Sequence, residues 1–361
     1  MAVETVKVPL SPPYPVILGE DLDPAAAVSG TLHPGACVVL TDSNVGPLHT
    51  DALLRSLEGA GWRVLGVVEI PAGEASKRIE TYADAVGRLA RLGLTRDGTV
   101  FALGGGVVGD LGGFVAATFM RGVDLVMLPT SLLSMVDSAV GGKTGLDLPE
   151  GKNLVGAFVR PRAVVADTRR LGTLPDPEIS NGLAEVVKMG LLSGGGFFDD
   201  LALVPAARAG ETKALRALIS HSVRFKAAVV GEDEREGGRR AVLNYGHTIG
   251  HALEAAADFA LPHGAAISAG MVAAAGLSRS RFATDLTGLH EDLLRSAGLP
   301  LRSPGVDVEA ALAAMSRDKK RSAADRPTDH RFVLLREVGH PVYGVAVGDD
   351  EARRAIGAVV G

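Results

Sequence analysis

The first half of the chain alternates short apolar runs with segments of helical period, and this alternation restricts the possible folds more than any other feature. Runs with strand character lie at 36–40, 64–70, 99–103, 125–128 and 163–166. Between the first two, residues 48–60 carry apolar side chains at helical spacing, and Gly61 follows. Strands that alternate with helices indicate a mostly parallel sheet covered by helices, so we predict an α/β domain here.

The second half of the chain has a different pattern. Segments of helical period rich in Ala, Leu and Val lie at 179–192, 215–230, 243–257, 265–282 and 308–316, with one strand-like run at 331–335. A chain of 361 residues suits two domains. We therefore predict an α/β N-terminal domain at 1–172 and an all-α C-terminal domain at 173–361.

Composition excludes several classes of protein. The net charge is −5, so no overall basic field attracts nucleic acid. The longest apolar segments are interrupted by Asp110 or His263, and none is expected to span a membrane. The single cysteine, Cys37, lies in an apolar run and cannot form an internal disulfide. The N-terminus lacks a secretory signal pattern, and we expect a cytoplasmic protein.

Glu185 and three histidines are the strongest candidates for a chemical site. Glu185 lies in an apolar segment, and His247, His251 and His263 lie in or beside two others. A carboxylate and imidazoles from separate segments are the usual ligands of an open catalytic metal site. On spacing alone, either His247 or His251 could be the ligand. The alternatives are structural histidines and a surface ion pair of Glu185 with Lys188.

The predicted helix 243–257 carries a polar stripe. Asn244, His247, His251 and Glu254 lie at offsets that put them on one helical face, while the other faces are largely apolar. Such a stripe should be hydrogen-bonded, ligated or exposed to solvent. Arg240 precedes Asn244 by four residues and continues the same face if the helix begins early enough.

Glycine-rich and polar segments at predicted strand ends indicate ligand binding. The three glycines 104–106 follow a strand and open a helix, which lets a backbone approach an anion. The alternative is a tight turn without a ligand. Asp42 and Asn44 follow the first strand, and Thr130 with Ser131 follows the fourth. Ligands of open α/β sheets collect beyond these strand ends.

A second glycine-rich region carries lysines. The segment 140–145 contains Gly-Gly-Lys-Thr but lacks the spacing of a P-loop, so we exclude nucleoside triphosphate hydrolysis. Asp137, Lys143, Lys152 and Asn153 are instead polar groups among apolar residues and glycines. The alternative is a set of solvated lysines. Several in one glycine-rich context favour an anion pocket.

Four motifs in this order resemble those of the 3-dehydroquinate synthases, which are sugar phosphate cyclases. They are GGGVVGDLGGF at 104–114, VDSAVGGKTG at 136–145, GKNLVGAF at 151–158 and LNYGHTIGH at 243–251. The resemblance extends from Asp42 to Lys320. It implies a dehydroquinate synthase-like fold, in which a nucleotide-binding α/β domain and a helical metal-binding domain enclose a cleft.

The resemblance also implies ligands. Zinc, for which cobalt can substitute, would be held by Glu185, His247 and His263, leaving His251 as a substrate-side or proton-transfer group. The residues implied for NAD binding are Asp42, Asn44, Glu74, Lys77, Gly105, Gly106, Val107, Asp110, Thr130, Ser131, Asp137, Lys152 and Thr173. Those implied for substrate binding are Arg121, Lys143, Asn153, Lys188, Lys226, Arg240, Asn244, His251, Lys319 and Lys320. The groups implied for catalysis are Arg121, Asp137, Lys143, Asn153, Asn244 and His251.

The reaction implied by the resemblance is a carbon–oxygen lyase step of the shikimate pathway, which leads to aromatic amino acids. It converts 3-deoxy-arabino-heptulosonate 7-phosphate to 3-dehydroquinate and phosphate. The steps are transient oxidation by NAD, β-elimination of phosphate, reduction and aldol closure. The resemblance also implies a homodimer whose only other partner is this phosphorylated sugar acid.

Four rival functions differ in the residues that they require. Aminodehydroquinate synthase uses an almost identical pocket and stays open. A cyclase for a substrate without a carboxylate should lack some of the cations Arg121, Lys188, Lys226 and Arg240, all of which are present. A metal-dependent polyol dehydrogenase would release NADH and need no lysine cluster. A non-enzymatic metal-binding protein leaves the NAD and lysine motifs unexplained.

Overall fold

The computed structural model describes residues 3–316 and 329–361, in which the chain forms two compact units. The first unit contains the chain up to Pro175 together with Lys226–Arg235. The second contains Asp176–Phe225 and Glu236–Gly361. The chain therefore passes from one unit to the other three times. Lys319 and Lys320, implied for substrate binding, lie outside the described residues.

The first unit is built on a seven-stranded sheet in the order β1-β2-β9-β6-β5-β3-β4. All neighbouring strands are parallel except β1 and β2. The elements are β1 (Glu4–Val8), β2 (Tyr14–Gly19), α1 (Pro24–Val28), β3 (Ala36–Asp42), α2 (Gly46–Gly59), β4 (Arg63–Ile70), α3 (Ile79–Arg91), β5 (Thr99–Gly104), α4 (Gly106–Thr118), β6 (Asp124–Pro129), β7 (Lys143–Leu148), β8 (Gly151–Phe158) and β9 (Ala163–Asp167).

The central strands are continuous apolar runs because helices cover both faces of a parallel sheet. Val38, Val39 and Leu40 of β3 and Val100 and Phe101 of β5 have no exposed surface. The five predicted strands of this half, and the predicted helix that became α2, are confirmed. The sequence did not predict β1, β2 or the separate β7–β8 hairpin, because their apolar residues are fewer or are interrupted by glycine and polar residues.

The second unit is mainly helical. Its elements are α5 (Asp176–Ser193), α6 (Gly195–Asp199), α7 (Val204–Arg208), α8 (Thr212–Glu232), α9 (His247–Ala256), α10 (His263–Phe282), α11 (Thr287–Ser296), α12 (Val308–Ser316), β10 (Asp329–Glu337), β11 (His340–Gly348) and α13 (Asp349–Val360). The last residues of α8, from Lys226 onward, belong to the first unit. The second unit also contains the antiparallel β10–β11 hairpin. Of this hairpin, the sequence predicted only the strand-like run at 331–335. Within the described ranges, no helix is long and apolar enough to cross a membrane.

The predicted start of one helix is wrong. The expected helix 243–257 is divided into a 3₁₀ helix, Arg239–Asn244, and α9. Between them, Gly246 has a φ of +75°, a left-handed conformation that ends helical continuity and favours glycine. Asn244 and Arg240 therefore do not lie on the helical face of His247, His251 and Glu254. The regular apolar spacing continued through this break, which is why the sequence did not reveal it.

Candidate active site

Three helices bring Glu185, His247 and His263 together. Glu185 lies in the middle of α5 and has no exposed surface, while the two histidines begin α9 and α10. The Nε2 atoms of His247 and His263 each lie 3.4 Å from Glu185 Oε1. The three potential ligand atoms lie within 4.8 Å of one another. One carboxylate oxygen thus faces two imidazole nitrogens, at distances that leave room for a metal ion between them.

Neighbouring groups orient both imidazoles. Nδ1 of His247 lies 3.1 Å from the Tyr245 carbonyl oxygen, which accepts its N–H and leaves Nε2 directed at Glu185. Nδ1 of His263 lies 3.6 Å from Glu254 Oε2. Burial disfavours the charged form of His263, but Glu185 and Glu254 outweigh it and raise its pKa to about 9. Imidazoles held from behind by a carbonyl or carboxylate are typical of metal ligands.

The buried carboxylate of Glu185 provides the test of whether a metal fits. Lys188, only 1% exposed, contacts Glu185 Oε2, yet neither carboxylate oxygen makes a hydrogen bond of good geometry within the described part of the chain. Buried carboxylate oxygens normally have such partners. A divalent cation would supply the missing interaction, and nitrogen with oxygen donors suits zinc or cobalt. The residues present therefore fit the metal.

His251 forms an overlapping group with Glu254 and His263. It lies one turn after His247 on α9, is exposed, and its ring centroid is 5.0 Å from that of His247. Spacing alone left open which of these two histidines is the ligand. The structure places His247 beside Glu185 and leaves His251 beside the cluster, open to solvent.

The cofactor candidates of the first unit gather at the carboxyl ends of its strands. Asp42 ends β3, and its Oδ1 accepts the N–H groups of Asn44 and Val45 at 2.9 Å. The glycine turn joins β5 to α4, and a Cβ on Gly105 would lie 3.4 Å from the Ser131 hydroxyl oxygen after β6. That distance is an ordinary van der Waals contact, so the turn runs beside the neighbouring strand end. Val107 is in the first turn of α4, and Thr130 follows β6.

Lys77 is the centre of an acidic cluster in the same unit. It is 4% exposed, and its ammonium lies 2.7 Å from Asp110 and 3.8 Å from Glu74. Lys152 lies 3.8 Å from the same Glu74 oxygen. Burial by itself would lower the pKa of Lys77, but the attraction of the nearby carboxylates is larger than this effect. The pKa of Lys77 is therefore raised. Burial also raises the pKa of Asp110, against the attraction of Lys77. Four cofactor candidates are thus brought together.

Thr173 is the last residue of a 3₁₀ helix, Thr168–Thr173. Its hydroxyl donates to the Arg170 carbonyl oxygen and lies 2.9 Å from His49 Nε2. His49 was not identified from the sequence, because a single exposed-looking histidine in α2 gives no motif.

The substrate candidates are divided between the units. In the first unit, Lys226 Nζ lies 2.6 Å from both the carbonyl oxygen and Oδ1 of Asp137. Arg121 and Asn153 have φ values of +66° and +54°, which are strained for residues other than glycine. Lys143 begins β7 and is exposed.

In the second unit, Lys188 touches the metal cluster, and Arg240 is 1% exposed within the 3₁₀ helix before α9. Asn244 donates from Nδ2 to Glu236 Oε1 at 2.6 Å. Sequence reasoning missed Glu236 as the partner of this candidate, and the only sequence signal was its position before Gly237 and Gly238. The structure gives it a left-handed φ of +60°.

Comparisons with known proteins give the family. Sequence models described as 3-dehydroquinate synthase N-terminal and C-terminal match residues 67–181 and 182–321. A curated 3-dehydroquinate synthase of Acidithiobacillus ferrooxidans is 45% identical over 337 residues, which cover 91% of this chain and 90% of that protein. This chain belongs to the 3-dehydroquinate synthase family. The synthase of Xanthomonas axonopodis pv. citri is 48% identical over 313 residues, 84% of either chain. The resemblance drawn from the four motifs is confirmed.

Solved structures confirm the fold expected for a 3-dehydroquinate synthase. A 2-deoxy-scyllo-inosose synthase in complex with carbaglucose-6-phosphate, NAD+ and Co2+ matches with a TM-score of 0.88 and 27% identity, covering 99% of this chain and all of that one. The 2-epi-5-epi-valiolone synthase of Streptomyces hygroscopicus, with NAD+ and Zn2+ bound, has a TM-score of 0.84 and 25% identity, covering 99% of this chain and 98% of that one. An iron-containing alcohol dehydrogenase of Thermotoga maritima, 16% identical with a TM-score of 0.69, shares the fold alone.

Proposed function

We propose that this member of the 3-dehydroquinate synthase family converts 3-deoxy-arabino-heptulosonate 7-phosphate to 3-dehydroquinate and phosphate. It is then a lyase of the shikimate pathway, in the route to aromatic amino acids. The observation that carries the proposal is the buried cluster of Glu185, His247 and His263, in a chain 45% identical to a curated enzyme of that name. The other cyclases matched by structure are 25–27% identical and are not favoured over it.

The proposed cofactors are NAD and a divalent metal, zinc or cobalt. NAD+ with Co2+ or Zn2+ is bound in the two similar cyclase structures. When bound, the metal supplies Lewis acidity toward the substrate hydroxyl, and NAD accepts and returns one hydride per turnover. Glu185, His247 and His263 would hold the metal. The cofactor candidates at the strand ends of the first unit and around Lys77 would hold NAD.

The chain's own groups have distinct proposed tasks near the metal cluster. Lys188 and Arg240 are buried cations suited to the substrate's carboxylate and phosphate. His251 is exposed beside His247, within reach of solvent, and is suited to moving a proton. Asn244, fixed by Glu236, is suited to orienting a substrate hydroxyl.

The cations of the first unit complete the proposal. Buried Lys226 forms an ion pair with the partly exposed Asp137, and Lys143, Asn153 and Arg121 present polar groups from a strand, a bulge and a turn. We assign NAD binding to 1–172 and metal and substrate binding to 173–361, with these cations as additional substrate contacts. The family resemblance further suggests a homodimer in the cytoplasm, which sedimentation and cell fractionation would test.

One assay tests the function and its rivals together. Purified protein, metal and a trace of NAD are mixed with the heptulosonate phosphate, and phosphate, carbocycle and NADH are measured. We expect many turnovers of phosphate for each NAD, equal amounts of carbocycle, and no net NADH. Stoichiometric NADH would favour the polyol dehydrogenase. Equal efficiency on a matched substrate without the carboxylate would favour another cyclase.

The variant Arg240→Ala tests whether Arg240 binds a charged group of the substrate. Losing a charge-assisted contact of about 1.5–3 kcal/mol should lower kcat/KM at least roughly tenfold. The dissociation constant of NAD should change little. Unchanged kcat/KM in the folded variant would remove Arg240 from the substrate site.

A further inference from the structure

The β7–β8 hairpin contains an irregularity that bears on the proposed site. Leu146 pairs with Val155 and Leu148 pairs with Gly151, so the single residue Asp147 lies opposite the three residues 152–154. Bulges of this kind break the ladder of backbone hydrogen bonds and redirect side chains. This bulge contains Lys152 and Asn153, which the proposed function assigns to cofactor and substrate.

Asp147 replaces the missing ladder contacts of the bulge. Its Oδ1 accepts the backbone N–H of Asn153 at 2.7 Å. Asn153 has a φ of +54°, and asparagine is among the few residues that tolerate this left-handed conformation. The hydrogen bond that Asp147 accepts therefore holds the Asn153 backbone in this left-handed conformation.

Asp147 is itself anchored to Lys77. Its backbone N–H donates to the Lys77 carbonyl oxygen at 2.7 Å, and its carboxylate lies 4.0 Å from the Lys77 ammonium. Lys77 is buried and pairs with Asp110 at 2.7 Å. The bulge is thus tied through one carboxylate to the Lys77–Asp110 ion pair of the proposed NAD pocket.

We propose that Asp147 is a positioning residue that fixes Asn153 for substrate binding, with Lys77 as its anchor. The inference rests on the proposed function for the role of Asn153. In this role Asp147 acts through its hydrogen bond with Asn153 and is not itself a catalytic residue. A purely structural role would stabilise the hairpin without affecting substrate kinetics, and the experiment separates the two.

Two substitutions and a control isolate the hydrogen bond. Asp147→Asn keeps an acceptor oxygen but removes the charge, whereas Asp147→Ala removes both. Glu150→Ala deletes a carboxylate from the exposed tip of the same hairpin and serves as the matched control. Amide hydrogen exchange at Asn153, measured without substrate, should be at least roughly tenfold faster in Asp147→Ala. In Asp147→Asn and Glu150→Ala, the exchange rate at Asn153 should stay within about threefold of the rate in the parent protein.

Kinetics of the full enzyme with NAD and metal then test the consequence for substrate. We expect Asp147→Ala to lower kcat/KM for the heptulosonate phosphate at least roughly tenfold, well below the variant's melting temperature, and Asp147→Asn to restore most of it. Unchanged exchange in Asp147→Ala overturns the proposal. Faster exchange with unchanged kcat/KM leaves only a structural role and also overturns it.

The experiment distinguishes this inference from the proposed function. If the parent protein does not release phosphate from the heptulosonate phosphate, the proposed function fails. Exchange at Asn153 still decides whether Asp147 fixes that residue. If the parent protein is active, the Ala and Asn variants together decide whether fixing Asn153 matters for the substrate.

Discussion

At the scale of single residues, the chemistry depends on one buried carboxylate. Glu185 is completely enclosed, and the groups around it are two imidazoles and the Lys188 ammonium. An isolated charge in such a place would be very costly, so it requires partners of opposite charge. The partners here are arranged so that one oxygen faces the lysine and the other faces both histidines. The geometry leaves the second oxygen available for a metal.

Glu185→Gln should therefore weaken metal binding strongly. The substitution keeps the side chain's shape but removes the charge that attracts the cation. Loss of groups that merely support metal ligands costs roughly 10–100-fold in affinity, so loss of a ligand should cost at least about 100-fold. Competition with a chromogenic chelator measures this without any assay of turnover. Glu178→Gln, an exposed change on the same helix, is the control, and equal affinities in the two variants would contradict the assignment.

His290 predicts a pH dependence of stability. It is completely buried, its Nε2 lies 2.7 Å from the Tyr245 hydroxyl, and its Nδ1 lies 2.8 Å from the Leu286 carbonyl oxygen. The carbonyl requires a proton on Nδ1, and Nε2 then accepts from the hydroxyl, so both contacts are satisfied by the neutral ring. Burial lowers the pKa of His290 to about 4 from the ordinary 6.5.

Because the unfolded chain binds this proton more readily, the stabilising contribution is complete above pH 6.5 and is lost as the pH falls from 6.5 to about 4. The full loss is about 3 kcal/mol. Denaturant unfolding followed by circular dichroism, in the metal-free protein, should show His290→Gln losing less stability than the parent protein over this window. If the free energy of unfolding fell equally in the two proteins as the pH was lowered, the prediction would be wrong.

At the scale of elements, the metal site depends on how closely α9 and α10 approach. A Cβ on Gly270 of α10 would overlap the Gly246 carbonyl oxygen and lie 2.9 Å from the Gly250 nitrogen. The two helices carry His247 and His263 at their first residues. Glycine at 270 therefore sets the distance between two of the three metal ligands.

Gly270→Ala should both destabilise the protein and weaken metal binding. Overpacking against a backbone that cannot move aside should cost about 2 kcal/mol or more. Gly276→Ala is the matched control, because nothing lies within 4 Å of its Cβ on the same helix, and it should gain about 0.5–1 kcal/mol from helix propensity. Melting temperature and chelator competition measure both effects. A Gly270→Ala protein as stable as the control would show that the helices can separate freely.

The elements also show what the sequence could predict. Strands β3 and β5 were recognisable because both faces are buried, which gives an unbroken apolar run. The metal residues were recognisable because charged and imidazole groups stood out against apolar helices. The break at Gly246 was not, since the apolar spacing continues across it. The bulge opposite Asp147 was not either, because it depends on strand pairing, which no local pattern in residues 143–158 reveals.

At the scale of the whole molecule, the two compact units do not correspond to two continuous segments of the chain. Lys226–Arg235 belongs to the first unit although it lies far along the chain, within the sequence region that is otherwise helical. Lys226 pairs with Asp137, and Glu234 pairs with Arg160 at 2.6 Å. These partners are separated by at least 74 residues in sequence, so their pairing could not be inferred from spacing.

The division into two units predicts that each cofactor protects a different set of backbone amides. A ligand that binds only the folded protein stabilises what it contacts, and local opening makes this visible segment by segment. Zinc alone should slow hydrogen exchange in α5 and in the first turns of α9 and α10, where Glu185, His247 and His263 lie. NAD alone should slow exchange in the turn after β5, the end of β3 and the segment around Lys77.

Each condition serves as the control for the other, and Glu185→Gln should abolish the zinc pattern while leaving the NAD pattern intact. Mass spectrometry of peptides from both units measures the two patterns in one experiment. Protection of α9 and α10 by NAD in the complete absence of metal would contradict the assignment of cofactor to 1–172 and metal to 173–361. Protection confined to the expected segments would establish that the two cofactors are held by separate parts of the chain.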